Sequence, residues 1–154
     1  MSLTASGDDV VVTLPDDDVI TLKGQLAASG SVGVSGVQSI AFADGSSWSR
    51  EEIGDRVTAT HVSGTSGNDI FTATSSAEIF TIGAGHDQVD GFQASSTHHD
   101  YLQVSRAQFA DWNALSAAFS NQNGDLLITL DSSHSLLLSN VSPASLTPND
   151  VIFV

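Results

Sequence analysis

Residues 64–90 read GTSGNDIFT ATSSAEIFT IGAGHDQVD, three consecutive nine-residue units. Acidic residues recur at Asp69, Glu78 and Asp87, and each is followed two places later by an apolar residue, Phe71, Phe80 and Val89. Val62 extends that apolar phase one step upstream. A fixed short period is the mark of a solenoid, in which each unit buries its apolar side only by stacking on the next. The first unit fits the pattern G-G-x-G-x-D-x-U-x except that Thr65 stands for the second glycine. The third keeps Gly83, Gly85, Asp87 and Val89 with Ile82 at its first position, and the middle unit has no glycine.

Each position has a mechanical purpose. The first six residues of such a unit make a tight turn in which glycine supplies backbone angles that side chains resist, and the last three make a short strand whose U residue points inward. Two units complete one coil, so the first and third units should lie one above the other on the same edge. That arrangement predicts a short parallel β-roll over residues 55–104. It brings Asp69 towards Asp87, with the backbone carbonyls of Gly64, Ser66, Gly67, Gly83 and Gly85 nearby. An all-oxygen donor set suits a hard cation such as Ca²⁺, which takes six to eight oxygens in flexible geometry. A structural coil that binds no ion is the alternative. Glu78 has no glycines around it and is expected to be a solvated carboxylate.

The composition favours the same class. The chain has 154 residues, 40% of them hydrophobic and only 14% charged, so its polarity comes from Ser, Thr, Asn, Gln and Gly. It has size for one module with a core. The net charge of −14 disfavours nucleic acid and anionic membranes as partners. With no cysteine, a disulfide framework and a thiolate metal site are excluded. No segment approaches the roughly 18 apolar residues of a membrane span, and no cleavable signal peptide is read at the start.

Outside the repeats, Asp9 to Leu22 reads as a β-hairpin, Val37 to Phe42 as a strand, and Asp44-Gly45 as a turn. Ser49-x-x-Glu52 is a capping box opening a short helix that ends near Gly54. Residues 125–138 echo residues 9–22 without a gap, keeping Asp, Thr and two Leu in register, so both hairpins are expected to cap the roll ends. Phe109, Trp112, Leu115 and Phe119 fall at helical spacings, predicting one amphipathic helix near 106–121 that Gly124 ends. The apolar run Val151 to Val154 is either a paired last strand or a segment that something reads.

With these residues in view, the chain resembles the C-terminal region of an RTX protein, the haemolysin-type calcium-binding family exported by Gram-negative type I secretion. The nonapeptides at 64–90 carry the likeness, as do Asp100-Tyr101-Leu102 after an insertion and the closing block from Gly124 to Val154. Residues 8–53 resemble the related segment that precedes the repeats. The resemblance implies an all-β single module: an N-terminal cap at 4–54, a degenerate β-roll at 55–104, and a C-terminal cap at 105–154. It implies Ca²⁺-coupled folding outside the cell, export through a type I secretion apparatus, and a secretion signal at Asp150, Val151, Ile152, Phe153 and Val154.

Catalysis is not expected. There is no Gly-x-Ser-x-Gly elbow, no His-Glu-x-x-His and no phosphate loop, so any enzymatic activity belongs to a region upstream of Met1. His98-His99-Asp100 is weighed as a transition-metal site and set aside, the insertion Ala94–His99 reading more simply as a solvated loop. The rival readings are a β-roll module that binds carbohydrate or serves adhesion, and a structural cap with vestigial repeats.

Overall fold

The computed structural model describes residues 2–14, 16–26, 36–42, 47–94 and 99–154. The expected turn at Asp44-Gly45 and most of the small-residue loop before Gly36 lie outside them. The protein is mostly β, with a few short helices and both parallel and antiparallel strand pairs. No helix among the described residues is long and apolar enough to cross a membrane. The chain divides into two compact units, residues 1–59 and 60–154.

The first unit opens with an antiparallel meander, β1 (Ser2–Ser6), β2 (Asp9–Thr13) and β3 (Val19–Leu22). The β2–β3 hairpin has the expected register, with Val10 opposite Leu22. Alternation along β2 sends Val10 and Val12 inward, where they meet Leu22, Leu26 and Ile53. A second, two-stranded sheet pairs β4 (Ser39–Ala41) with β5 (Ser47–Ser49). The capping box then forms as read: the Glu52 N–H donates to the Ser49 hydroxyl at 3.2 Å, and the Ser49 N–H to the Glu52 carboxylate at 2.6 Å. The helix it opens, α1 (Arg50–Thr58), does not stop at Gly54 but runs past it, leaving Gly54 buried inside. Burial of the neighbouring Ile53 and the stacking of Arg56 over the Trp48 ring at 4.3 Å carry the helix through the weak residue.

The second unit holds the repeats. β6 (Thr60–Ser63), β7 (Ile70–Thr72), β8 (Glu78–Thr81), β9 (His86–Asp90) and β10 (Tyr101–Val104) alternate between two sheets. β6, β8 and β10 pair in parallel and align Val62, Phe80 and Leu102. β7 pairs in parallel with β9 and aligns Phe71 with Val89. The U residues thus stack inward from both sides, with Phe80 and Val89 buried and the rings of Phe71 and Phe80 6.0 Å apart.

The expected helix near 106–121 is corrected. Only α2 (Trp112–Ser116) is helical, capped by Asp111, whose carboxylate accepts the Ala114 N–H at 2.9 Å. Phe119 belongs instead to β11 (Phe119–Gln122), which pairs antiparallel with β12 (Asp125–Thr129). The reason lies at Asn123-Gly124, both with positive φ (58° and 104°), a two-residue hairpin turn that fixes strands on either side. The aromatic residues still share one core, since Phe109 and Leu115 are buried and Trp112 meets Phe119 edge-on at 5.7 Å. β13 (Ser135–Ser139) completes a second meander and also pairs in parallel with β9. After a 3-10 turn at Pro148–Asp150, the last strand β14 (Val151–Phe153) pairs in parallel with β10.

The sequence echo proves to be an echo of structure. An offset of 116 residues carries β1, β2 and β3 onto β11, β12 and β13 with the register kept, Leu3–Val12 onto Phe119–Ile128 and Val10–Leu22 onto Leu126–Leu138. Asp9 accepts the Gly24 N–H at 2.9 Å, and Asp125 accepts that of its counterpart Asn140 at 2.7 Å. Both donors sit in the left-handed region, with φ of 60° and 58°.

Candidate cation site

The turns that join β6 to β7 and β8 to β9 stack on one edge of the second unit, as the repeat phase requires. Backbone bonds tie them: Ala84 N–H to the Thr65 carbonyl at 3.2 Å and Gln88 N–H to the Asp69 carbonyl at 2.9 Å. The Asn68 side chain adds an acceptor for the His86 N–H at 2.9 Å. Glycine is required by proximity here. A Cβ on Gly83 would overlap the Thr65 carbonyl, and one on Gly85, whose φ is +106°, would lie 2.7 Å from the Gly67 oxygen. Gly64 faces the Gly83 nitrogen in the same way, at 2.8 Å from an added Cβ. Gly64, Gly67, Gly83 and Gly85 are therefore brought together; Ser66 lies exposed in the first turn.

The acidic residues share one hydrogen-bonding habit. Asp69, Glu78 and Asp100 each take an N–H from their own turn, and Asp87 and Asp100 take the N–H of the preceding acidic residue on the same edge. Asp69 accepts Thr65 N–H at 2.7 Å and the Thr65 hydroxyl at 2.9 Å. Asp87 accepts the Asp69 N–H at 3.0 Å. On the opposite edge Glu78 accepts Thr74 N–H at 2.7 Å and gives its own N–H to Asp100 at 3.0 Å. Asp100 also accepts Gln93 N–H at 3.0 Å.

One reading changes as a result, and one acid is added. Glu78 is not a solvated carboxylate: it is buried, and its place in the nine-residue period was the signal for that. Asp100, separated from its repeat by an insertion, is the fully buried acid of the next coil on that edge. Burial pushes its carboxyl up to about 6, against the Gln93 and Glu78 N–H bonds, which pull it down, and with the Glu78 charge adding to the rise.

Asp87 breaks the habit at one atom. It is 2% exposed, its Oδ1 holds Asp69, and its Oδ2 is buried with no hydrogen-bond partner among the described residues. A buried carboxylate oxygen left bare is costly unless a cation, a proton or water reaches it. The oxygens that the two stacked turns offer, the Asp69 carboxylate and backbone carbonyls, are of the kind Ca²⁺ selects. Among the described residues no three His, Asp or Glu side chains cluster as a metal site, so any ion there would depend on backbone carbonyls.

The histidines are dispersed. His86 Nδ1 lies 2.9 Å from the Ser135 hydroxyl and His134 Nδ1 2.6 Å from the Asp131 carboxylate, while His98 lies outside the described residues. At the C-terminal end, Asp150 is buried and accepts the Thr147 N–H at 2.7 Å and hydroxyl at 2.8 Å. Val151 is buried, Ile152 and Phe153 are half-buried, and Val154 is exposed. The Val154 carbonyl takes the Arg106 N–H at 2.8 Å, so this run is a paired strand.

Stacked turns with acids at a nine-residue period, carried on parallel strands, define a repeat-built β class of protein. Residues 9–52 match the haemolysin-type calcium binding protein related domain, which is consistent with an RTX-like region and suggests calcium binding. No curated protein matches the chain. The matched segment lies in the first unit, whereas Asp69 and Asp87 lie in the second.

Proposed function

We propose that the chain is a calcium-binding module of a secreted RTX protein, in which residues 60–104 form a short parallel β-roll whose folding Ca²⁺ assists after type I export. The bare, buried Oδ2 of Asp87 carries this reading. Asp87 would hold the ion with Asp69 and carbonyls among Gly64, Ser66, Gly67, Gly83 and Gly85. Bound calcium supplies the positive charge that a buried carboxylate lacks. Asp87 then keeps the first coil in place through Asp69 N–H, and the close glycine contacts let the two turns stack. In a low-calcium compartment the uncompensated carboxylate weakens the stack and leaves the chain easier to export. Extracellular calcium, at weak sites of about 10⁻⁴–10⁻³ M affinity, restores it.

The Asp150 to Val154 run serves the same programme as an export signal that is read before β14 pairs with β10. No catalytic role is assigned to the chain. Calorimetric titration with Ca²⁺ tests the site: saturable binding that Asp87→Asn abolishes supports it, and no heat in the wild type refutes it. Removing Val151–Val154 from the secreted parent and finding export undiminished would refute the export role.

A further inference from the structure

The two meanders share their register but differ at their third strands. In the second unit, the outer edge of β13 is occupied by the roll strand β9, Ser135 opposite His86 through Ser139 opposite Asp90, and the Ser135 N–H donates to the Gly85 carbonyl at 2.9 Å. In the first unit, β3 pairs only with β2 among the described residues. The 116-residue offset places Val19 on Ser135 and Ile20 on Leu136. Leu136 is 1% exposed; Ile20 is 49% exposed and Val19 59%. A position that is core in one copy of the meander is open in the other. An apolar, unpaired strand edge is a template for a further strand.

We propose that the free edge of β3 docks the terminal coil of a second nonapeptide β-roll, paired in parallel as β9 pairs with β13. The occupant is not the roll of another copy of this chain. A parallel strand has two distinct edges, and the edge that β9 presents to β13 is consumed there; the matching edge of β7 is consumed by β9. What fits is a glycine–aspartate nonapeptide roll whose last coil is uncapped. By the register of β9 on β13, its strand brings the repeat aspartate beside Ile20, the inward apolar residue beside Leu22 and a carbonyl to the outward N–H of Val19, the counterpart of Ser135.

The test fuses a probe of about eight nonapeptides, each Gly64–Thr72 with Thr65→Gly, to the N-terminus of the full chain through a flexible linker. Far-UV circular dichroism follows probe folding against Ca²⁺. The fused probe is expected to fold at a calcium midpoint at least about ten-fold below that of the free probe. Val19→Pro and Thr21→Pro, each of which removes an outward donor, should each return the midpoint to the free value, with thermal unfolding confirming that the first unit remains folded. Ile70→Lys on the free edge of β7 should change nothing. An unchanged midpoint on fusion, an effect that survives Thr21→Pro, or an effect lost with Ile70→Lys overturns the proposal. The inference rests on the β9–β13 pairing and not on an ion at Asp87, so Asp87→Asn should leave the fusion effect intact even where calcium binding by the chain itself is lost.

Discussion

The carboxylate of Asp87 accepts the backbone N–H of Asp69, eighteen residues earlier, at 3.0 Å. One oxygen is thereby committed to the coil beneath and the other is buried without a partner. Calcium at ten times its Kd would add about 1.4 kcal/mol to the folded form. For a unit of this size that is a rise in Tm of about 5–10 °C. Asp87→Asn keeps an acceptor for Asp69 while removing the charge, so its Tm in EDTA should equal or exceed the wild type's and its calcium response should vanish. Scanning calorimetry with and without Ca²⁺ checks both.

Two glycines should answer differently to alanine. At Gly83 a Cβ runs into the Thr65 backbone, and relief requires the coils to separate. The expected loss exceeds about 3 kcal/mol, at the severe end for one substitution. Gly124 has φ +104° but no atom within 4 Å of an added Cβ, so only backbone strain opposes the change, about 1–2 kcal/mol. Urea unfolding of the two variants measures the difference.

Asp100 and Asp90 should move stability in opposite directions with pH. The folded Asp100 pKa, about 6, stands above its ordinary value of 3.8, so the folded state binds the proton more tightly. Its contribution therefore improves as pH falls from about 6 towards 3.8 and is constant above that window. The Ser139 hydroxyl, then the Gln88 amide, hold Asp90 below the usual range, so its contribution is lost only as pH falls below about 3.8. Carboxyl NMR should show Asp100 titrating near 6, with the Glu78 and Gln93 amide protons shifting alongside it.

The paired meanders predict paired mutational effects. Asp125→Ala strips the acceptor from the Asn140 N–H and should cost about 1 kcal/mol. Asp9→Ala removes the same support from Gly24 and should lower Tm as well. Lys23→Ala, which removes only an ion pair whose lysine is 79% exposed, should leave Tm nearly unchanged. Thermal melts of the three variants distinguish the backbone latch from the surface charge pair.

Local and periodic features were legible in the sequence. The nine-residue phase placed Val62, Phe71, Phe80 and Val89 inward, and the Ser49–Glu52 box and both hairpins formed where their residues indicated. The helix over 106–121 failed because helical spacing of aromatics cannot by itself outvote a turn. Asn123-Gly124 was the stronger signal and demands strands on both sides. Glu78 and Asp100 were missed because the glycine turn was treated as the marker of a buried acid, whereas the period and the stacked N–H groups bury them. Pairing of β14 with β10 depends on contacts between residues about 50 apart, which no local pattern encodes.

The carboxylate bonds between coils point one way: Asp87 reaches back to Asp69, and Asp100 reaches back to Glu78. Such a stack has polarity. Each coil is fastened by the one that follows it, so the array tightens like a ratchet from its first turn towards its last, and a coil is secure only once its successor has arrived. The Asp69 amide, beside the 73%-exposed Ile70, should accordingly resist hydrogen exchange more than its position at an open rim would suggest.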